Sequence, residues 1–397
     1  MQGRWRWAAV AMALVTLVAG CSDADDGDAG RDATDRPSGQ EERGAEVSDL
    51  RLDQLQIVGS HNSYHVAPEP RLMEALRKVA EAVPDVTEEL GDPASLEYTH
   101  PPLGEQLDAG LRTFELDIAA DPTGGTFASP KGPGVLGVED PVVPSDMDAP
   151  GIKVFHIVDI DQISTCQTLV ICLTTVREWS QDHRDHIPIV IQLELKNDGL
   201  PAPFDLTPVT PFGATELDAL DAEIRSVFSD DEMITPDLVR GDAADLRTAV
   251  TTAGWPLLDD VRGRVMFYLD NSGASSDAYR AGHPSLEGRV AFTSDRDDLP
   301  SSAVLVKNDA HDPTIPTLVR EGFIVRTRAD ADLVEAAAGD TTVRDAAFAS
   351  GAQLVHSDFP QGHPHPGNGY VVGFGTPEAV RCNPVTFPER STCPLSP

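Results

Sequence analysis

The sequence is poor in basic residues. Lysine and arginine together number 30 against 65 acidic residues in 397 positions, only five of the 30 are lysines, and the formal charge is −35. A nucleic-acid-binding protein needs a net basic surface, because its cations must replace the counterions of the phosphate backbone. The composition therefore argues against a nucleic-acid-binding function, and the same charge argues against unaided docking on an anionic lipid surface.

Cysteines and long apolar runs are also scarce. Five cysteines are too few for a disulfide-built scaffold, and after residue 20 no apolar run approaches the roughly 18 residues that span a bilayer. The Gly-x-Ser-x-Gly, Walker A and His-Glu-x-x-His motifs are missing, so serine hydrolases, P-loop nucleotide hydrolases and zinc peptidases find no support. The 40% of apolar residues is nevertheless enough for a large core.

The N-terminus predicts an export signal. Arg4 and Arg6 precede an apolar stretch, 8–18, that is too short for a membrane span. The five residues that end at Cys21 resemble the lipobox of bacterial lipoproteins, in which the cysteine receives the lipid. Residues 1–20 are therefore interpreted as a lipoprotein signal peptide, with an ordinary signal peptide as the alternative. Both place the protein outside the cytoplasm.

The lipoprotein interpretation predicts a membrane-anchored protein on the outer side of the bacterial cytoplasmic membrane or on the cell surface. Residues 21–49 follow the signal and contain ten acidic residues, three arginines and almost no large apolar side chain. Such a segment cannot bury enough surface to offset the entropy of ordering it, so we expect a flexible tether.

Residues 50–397 alternate between β-branched runs and helical patterns. The candidate strands are 55–60, 111–119, 153–158, 187–196, 264–270, 303–308, 323–327 and 353–357. Continuous apolar runs suit parallel strands covered on both faces, and eight β/α alternations predict an α/β fold, an irregular TIM-type (β/α)8 barrel. Residues 289–294 also resemble a short strand and are assigned to an extra loop element. The stretch 362–397 is rich in proline and glycine and is predicted to be a surface loop.

Four candidate strands carry polar residues at or near their C-terminal ends, where a purely structural strand needs none. They are His61 and Asn62 after the first strand, Glu115 and Asp117 in the second, His156 in the third, and Glu194 and Lys196 in the fourth. Because the carboxyl ends of TIM-barrel strands converge, these side chains predict one shared site.

The residue types indicate the chemistry of that site. Glu115 and Asp117 are two positions apart in one strand, so they point to the same face. Together with Glu194 they place three carboxylates at the mouth of the barrel, the end at which the strands terminate. The charge of these carboxylates must be neutralised by a cation or by protons. All-oxygen ligands select a hard cation, Ca²⁺ or Mg²⁺, and Asn62 can add a carbonyl oxygen. The two histidines remain for proton transfer, so the set suits phosphoryl transfer.

These segments also carry a family resemblance. They are Gly59–Tyr64, Phe114–Asp117, His156 and Pro188–Glu194. Together they resemble the X region of calcium-dependent phosphoinositide-specific phospholipases C, and 307–309, 324–330 and 350–353 resemble the secreted bacterial branch of that superfamily. The resemblance covers roughly residues 50–360. It implies a phosphodiesterase that cleaves phosphatidylinositol-type lipids to diacylglycerol and an inositol phosphate that is first cyclic.

The resemblance also implies residue roles. His61 would deprotonate the inositol 2-hydroxyl, and His156 would stabilise the transition state and help to protonate the leaving diacylglycerol. Four residues would hold Ca²⁺: Asn62, Glu115, Asp117 and Glu194. Metal-independent bacterial relatives use an arginine in place of the cation, so the retained carboxylates favour the calcium-dependent type. We expect Cys21 to supply membrane targeting, and we expect a monomer.

Several weaker candidates surround the mouth. Contacts to substrate are predicted for Lys196, Lys307, Arg326 and Asp358, with Arg328 similar to Arg326; the alternative for each is a structural ion pair. Two other functions stay open. A glycerophosphodiester phosphodiesterase shares the Glu-x-Asp pair and the Glu-x-Lys of 194–196, but its His-Arg-Gly opening does not match 61–63. A surface-tethered, non-catalytic lipid or sugar-phosphate binding protein needs neither histidine.

The cysteines that remain after Cys21 are predicted to pair locally, Cys166 with Cys172 and Cys382 with Cys393. Residues six apart in a continuous α-helix lie about 9 Å apart along its axis, which is too far for a disulfide. We therefore expect the helix in this region to begin near Cys172, after a loop.

Overall fold

The computed structural model describes residues 50–82, 91–138, 144–199, 207–294, 296–387 and 395. The predicted signal peptide, the predicted tether with Cys21, and Cys393 lie outside these residues.

The described residues form ten strands in two five-stranded sheets. In spatial order, the first sheet is β10 (Val380–Cys382), β1 (Leu55–Ser60), β9 (Leu354–Ser357), β8 (Ile324–Arg328) and β7 (Val304–Val306). The second is β3 (Gly151–Val154), β2 (Thr113–Asp121), β4 (Ile189–Leu195), β5 (Val265–Leu269) and β6 (Ala291–Thr293). Only β10 and β3, each at one edge, pair antiparallel with their neighbours. The other eight strands are the strands of the TIM-type barrel.

The two sheets meet at two seams, β1 against β2 and β6 against β7. At the first seam the backbones approach so closely that a Cβ on Gly59 would lie 1.8 Å from the carbonyl oxygen of Thr113, so only glycine fits. At the second, the backbone N–H of Val306 donates to the carbonyl oxygen of Ser294 at 3.2 Å. Because neither seam forms a ladder in the described chain, the barrel is irregular, as expected.

Three predictions about strands were wrong. The stretch 362–397, predicted to be a surface loop, contains β10, which pairs antiparallel with the outer edge of β1 and is buried at Val380. The third candidate, 153–158, ends at Val154 and runs antiparallel to β2, so it flanks the barrel. The cause is the length of β2, which extends beyond the mouth and offers its end as a pairing edge. The segment 289–294, assigned to a loop, instead contains β6, a barrel strand that pairs parallel with β5. Three residues are too few to distinguish a buried strand from a loop by pattern alone.

Helices cover the outside of the barrel. They are α1 (Pro70–Ala82), α2 (Leu103–Asp108), α3 (Gly132–Val135), α4 (Leu169–Asp182), α5 (Ala214–Val227), α6 (Pro236–Arg240), α7 (Leu246–Thr248), α8 (Leu258–Val261), α9 (Ala274–Arg280), α10 (Ile315–Arg320), α11 (Val334–Ala338) and α12 (Thr342–Ser350). Each longer one turns an apolar stripe inward, as α4 does with Leu169, Leu173 and Val176. Over the part of the chain that is described, no helix is both long and apolar enough to cross a membrane.

Cys166 and Cys172, the predicted pair, form a disulfide with their Cα atoms 5.2 Å apart. The helix that contains Cys172 begins earlier than expected, at Leu169, because the hydroxyl of Thr168 accepts from the backbone N–H of Ile171 and caps it. Cys166 lies in the loop before the cap, so the pair is still bridged. Cys382 is also disulfide-bonded. Its predicted partner Cys393 lies outside the described residues, so that pairing stays a prediction.

Candidate active site

The turn that follows β1 is held against β2. The backbone N–H of Ser63 donates to the carbonyl oxygen of Glu115 at 2.9 Å, and the N–H of Glu115 donates to Ser63 Oγ at 2.8 Å. A ring nitrogen of His100 lies 2.9 Å from the carbonyl oxygen of His61. Asn62 adopts a φ of 45°, a left-handed conformation that asparagine tolerates better than most residues. His61 and Asn62 are therefore fixed beside the strand that carries Glu115 and Asp117.

His61 is paired with Asp358, which follows β9. Its Nδ1 lies 2.7 Å from Asp358 Oδ1, and its Nε2 lies 4.0 Å from Glu115 Oε1. Burial, followed by the positive charge of Arg328, holds the pKa of His61 well below its usual range, and burial raises the pKa of Asp358 to about 6. At neutral pH, Nδ1–H then donates to the carboxylate. Nε2, on the side of Glu115, is left free to accept a proton.

His156 follows β3 and is paired with Asp161. Its Nδ1 lies 3.0 Å from Asp161 Oδ2, and the same oxygen lies 2.7 Å from Nε2 of the fully buried His65. Burial by itself lowers the pKa of His156, but the hydrogen bond and charge of Asp161 outweigh it, so the pKa is raised. One carboxylate therefore holds two imidazoles, of which His156 is a quarter exposed.

The three predicted carboxylates converge. One oxygen from each of Glu115, Asp117 and Glu194 lies within 4.8 Å of the others. Asn62, buried in the turn after β1, donates through its amide nitrogen to the Tyr98 hydroxyl at 3.1 Å, which leaves its carbonyl oxygen as the second polar atom of the side chain. We name these four residues, Asn62 with the three acids, the carboxylate cradle.

The carboxylate cradle suits a hard cation. Oδ1 of the fully buried Asp117 has no hydrogen-bond partner among the described residues, and Oδ2 is paired with the Lys196 ammonium at 2.6 Å. Burial and the charge of Glu194 raise the pKa of Asp117 to about 7. A buried carboxylate that keeps one unpaired oxygen and lies beside other carboxylates gains from a bound cation. Because every atom offered is oxygen, the chemistry fits Ca²⁺ and not zinc.

Two basic side chains also contact the carboxylate cradle. Lys196 Nζ lies 2.6 Å from Asp117 Oδ2 and 2.8 Å from Glu194 Oε1. Burial favours neutral Lys196, but these two carboxylates outweigh it and raise the lysine pKa. Arg326, in β8, is fully buried, and its guanidinium lies 2.7 Å from Glu115 Oε2. Burial would raise the pKa of Glu115, but Arg326, His61 and His356 together outweigh that effect and hold the pKa well below its usual range.

The predicted substrate contacts occupy different positions. Arg326 is buried and also hydrogen-bonds Asn308. Asp358 holds His61, and Lys196 lies on the carboxylate cradle. Lys307 is one-third exposed beyond β7, with its ammonium 3.4 Å from Asp312 Oδ2. Their contacts with substrate stay predictions.

Sequence reasoning missed several residues of the site. Asp161 and His65 were not proposed, and neither was His356, whose ring lies 3.2 Å from Glu115 Oε2 and 2.9 Å from Thr113 Oγ1 across the first seam. Burial, with the nearby charge of Arg326, lowers the pKa of His356 to about 4. The signal for His356 was present, because it is a titratable residue within the candidate strand 353–357. No sequence pattern pointed to Asp161.

The chain is similar to known phospholipases C. Residues 50–384 match the family model of Ca²⁺-dependent phosphoinositide phospholipase C. The chain belongs to this family. A calcium-dependent phosphoinositol-specific phospholipase C from Pseudomonas is structurally similar, with 15% identity and a TM-score of 0.51, over 85% of this chain and 97% of that one. The corresponding enzyme from Streptomyces antibioticus has 18% identity and a TM-score of 0.48, over 78% and 95%. No curated protein sequence matches the chain.

The family assignment decides between the functions that the sequence left open. The protein is a calcium-dependent phosphodiesterase of the phosphoinositide phospholipase C type. This favours the leading interpretation over a glycerophosphodiester phosphodiesterase and over a non-catalytic binding protein. At 15% identity, the Pseudomonas structure supports the barrel fold and no more.

Proposed function

We propose that this phospholipase C cleaves phosphatidylinositol-type lipids by internal attack of the inositol 2-hydroxyl, giving diacylglycerol and a cyclic inositol phosphate. The observation that carries the proposal is the pair of histidines beside the carboxylate cradle, each oriented by an aspartate through Nδ1. The pKa of one is lowered and that of the other is raised. Two imidazoles whose pKa values are shifted in opposite directions suit a general base and a general acid in one reaction.

In this scheme His61 is the general base. Its Nδ1–H is held by Asp358, so Nε2 accepts the proton of the 2-hydroxyl. His156, whose pKa is raised by Asp161, donates a proton to the diacylglycerol oxygen as the phosphorus–oxygen bond breaks. When Ca²⁺ is bound by the carboxylate cradle, it supplies positive charge that lowers the hydroxyl pKa and offsets charge on the phosphate. Lys307 is the candidate contact for a head-group phosphate.

Phosphorus NMR of the early reaction tests the scheme. With phosphatidylinositol we expect a cyclic phosphate resonance before any open-chain phosphate appears. A 2-deoxy-inositol lipid lacks the attacking hydroxyl and should not be cleaved. Cleavage of that lipid, or a reaction without any cyclic species, would indicate direct attack by water.

Substrate choice and chelation separate the remaining alternatives. Phosphatidylinositol should be cleaved in Ca²⁺ and not in EGTA, and glycerophosphoinositol should be the poorer substrate. Preference for glycerophosphoinositol would favour the glycerophosphodiesterase alternative. Binding of either compound without turnover would favour the non-catalytic one.

We also propose that the enzyme is exported and anchored to the membrane by lipid on Cys21. The support is the sequence of residues 1–21 alone. A single acyl chain binds membranes only marginally, whereas several chains on one residue anchor stably. Cys21→Ser should therefore move the protein from the membrane fraction to the soluble or secreted fraction, with unchanged activity on dispersed substrate. Unchanged membrane partitioning of this variant would contradict the anchor.

A further inference from the structure

Lys196 stands where a cation would bind. Its ammonium lies 2.6 Å from Asp117 Oδ2 and 2.8 Å from Glu194 Oε1, two of the three acids in the carboxylate cradle. Lys196 lies two residues beyond Glu194 in the sequence, and its backbone N–H donates to the carbonyl oxygen of Ile118 at 2.8 Å. The end of β4 is therefore tied to β2, and the lysine side chain folds back over the carboxylates.

An ammonium and a divalent cation cannot share these oxygens. Two positive charges a few ångströms apart in a partly desolvated site repel each other strongly. The oxygens of Asp117 and Glu194 would have to satisfy both cations at once. We propose that Lys196 is a built-in competitor of Ca²⁺: its ammonium neutralises the carboxylate cradle in the metal-free enzyme, must leave before the metal binds, and so sets the calcium affinity.

The neighbouring side chains allow Lys196, and not Arg326, to make this exchange. Arg326 is fully buried and is held by Glu115 and Asn308, so it has no room to withdraw. The Lys196 side chain is one-fifth exposed and lines a cavity of about 90 Å³ together with His156 and Asp198. An ammonium on a flexible four-carbon stem can swing into such a space. There, Asp198 offers another carboxylate.

The proposal depends on the calcium requirement of the family and not on the proposed roles of the two histidines. The exchange makes the charge at the carboxylate cradle more positive by one unit, because a divalent cation replaces a monovalent ammonium. The proposal also predicts that the enzyme keeps its fold without metal, since the lysine already offsets the repulsion between Asp117 and Glu194.

Calorimetric titration of the chelated protein with CaCl₂ tests the exchange without any measurement of turnover. Lys196→Met and Lys196→Gln remove the competing charge, so they should bind Ca²⁺ at least about tenfold more tightly than the wild type. Lys196→Arg should bind it at least about tenfold more weakly, because a guanidinium can hold both carboxylates in a bidentate manner. Lys78→Met removes one charge from an exposed ion pair with Glu74 on α1 and is the matched control. It should stay within about twofold of the wild type.

Thermal unfolding gives a second readout. In EGTA, Lys196→Met should melt below the wild type, and saturating Ca²⁺ should raise its melting temperature by more than it raises that of the wild type. Unchanged or weaker calcium affinity in Lys196→Met would overturn the proposal and would mean that the ammonium stays in place when the metal binds. If the neutral variants do not fold, Lys196→Arg decides: wild-type or tighter calcium affinity in that variant would overturn the proposal equally.

Discussion

Two histidine–aspartate pairs stand beside the same carboxylate cradle, and they are built alike. His61 and His156 each point Nδ1 at a buried aspartate, at 2.7 Å from Asp358 and 3.0 Å from Asp161. Yet the pKa of His61 is lowered and that of His156 is raised. A shared pair geometry therefore does not fix the protonation state of the imidazole.

The difference comes from what surrounds each pair. Burial lowers the pKa of both histidines. At His61 the positive charge of Arg328 adds to that effect. At His156 the hydrogen bond and charge of Asp161 outweigh it, with a smaller contribution in the same direction from Asp117. The division into base and acid is thus set by charges around the pair, and changing those charges should move each histidine separately.

Removal of each histidine should have the largest effect on kcat, and a change of leaving group should distinguish the two pairs. General acid–base groups contribute typically about 10²–10⁴-fold each, so His61→Ala and His156→Ala should each reduce kcat by that order on phosphatidylinositol. A substrate with a good leaving group, such as a nitrophenyl inositol phosphate, needs no acid. It should largely restore activity to His156→Ala and not to His61→Ala.

The exposed His183 provides the matched control, since it lies between α4 and β4, at the end of the barrel strands opposite the site, and His183→Ala should leave kcat unchanged. Circular dichroism should show all three variants folded. Equal rescue of both active-site variants by the good leaving group would contradict the assignment of base and acid.

The next largest effect is expected from Asp161→Asn. The charge of Asp161 raises the pKa of His156, so the acid stays protonated, and active, below that raised pKa. An amide removes this stabilisation. The alkaline limb of the pH–rate profile should therefore move to lower pH, with roughly a tenfold or greater loss of kcat at neutral pH. A profile whose alkaline limb stays in place would show that Asp161 does not tune His156.

A smaller effect is expected from Arg328→Met, which should raise the pKa of His61, whereas Asp161→Asn lowers the pKa of His156. Arg328 helps to lower the pKa of His61, so the base is neutral, and active, at pH values above that lowered pKa. Without the guanidinium the pKa of His61 rises, and the acidic limb should move to higher pH while the alkaline limb stays. Arg344→Met, which removes a surface ion pair with Asp345, is the control and should shift neither limb. Movement of the alkaline limb in Arg328→Met would argue that the two pairs are not independent.

The smallest change should follow from loss of the disulfide that ties the loop after His156 to the first turn of α4. The double variant Cys166→Ser/Cys172→Ser releases a short loop, which should cost about 2 kcal/mol of unfolding free energy. Urea denaturation measures this. Because the bridge lies on the His156 side, any change in activity should appear in the alkaline limb only. Unchanged stability would show that packing alone holds this loop.

Part of the site could be predicted from the sequence because side-chain direction in a strand is local. Glu115 and Asp117 share a face of β2 by their spacing, and the polar ends of β1, β2 and β4 meet because parallel barrel strands end at one mouth. The fourth candidate strand, 187–196, was observed as Ile189–Leu195, since its apolar run is long enough to be unambiguous. These local rules were sufficient for seven of the eight barrel strands and for three of the four residues of the carboxylate cradle, with Asn62 following from the turn after β1.

The tertiary structure decided what no local pattern contains. The direction of β3 depends on the free edge that the long β2 offers, and the place of β6 in the barrel depends on its pairing with β5. Asp161 acquires its role only where the fold brings His65 and His156 to the same oxygen. Sequence spacing placed Lys196 at the mouth, but the choice between substrate and carboxylate required coordinates, because an ion pair forms with whichever opposite charge the fold brings within reach.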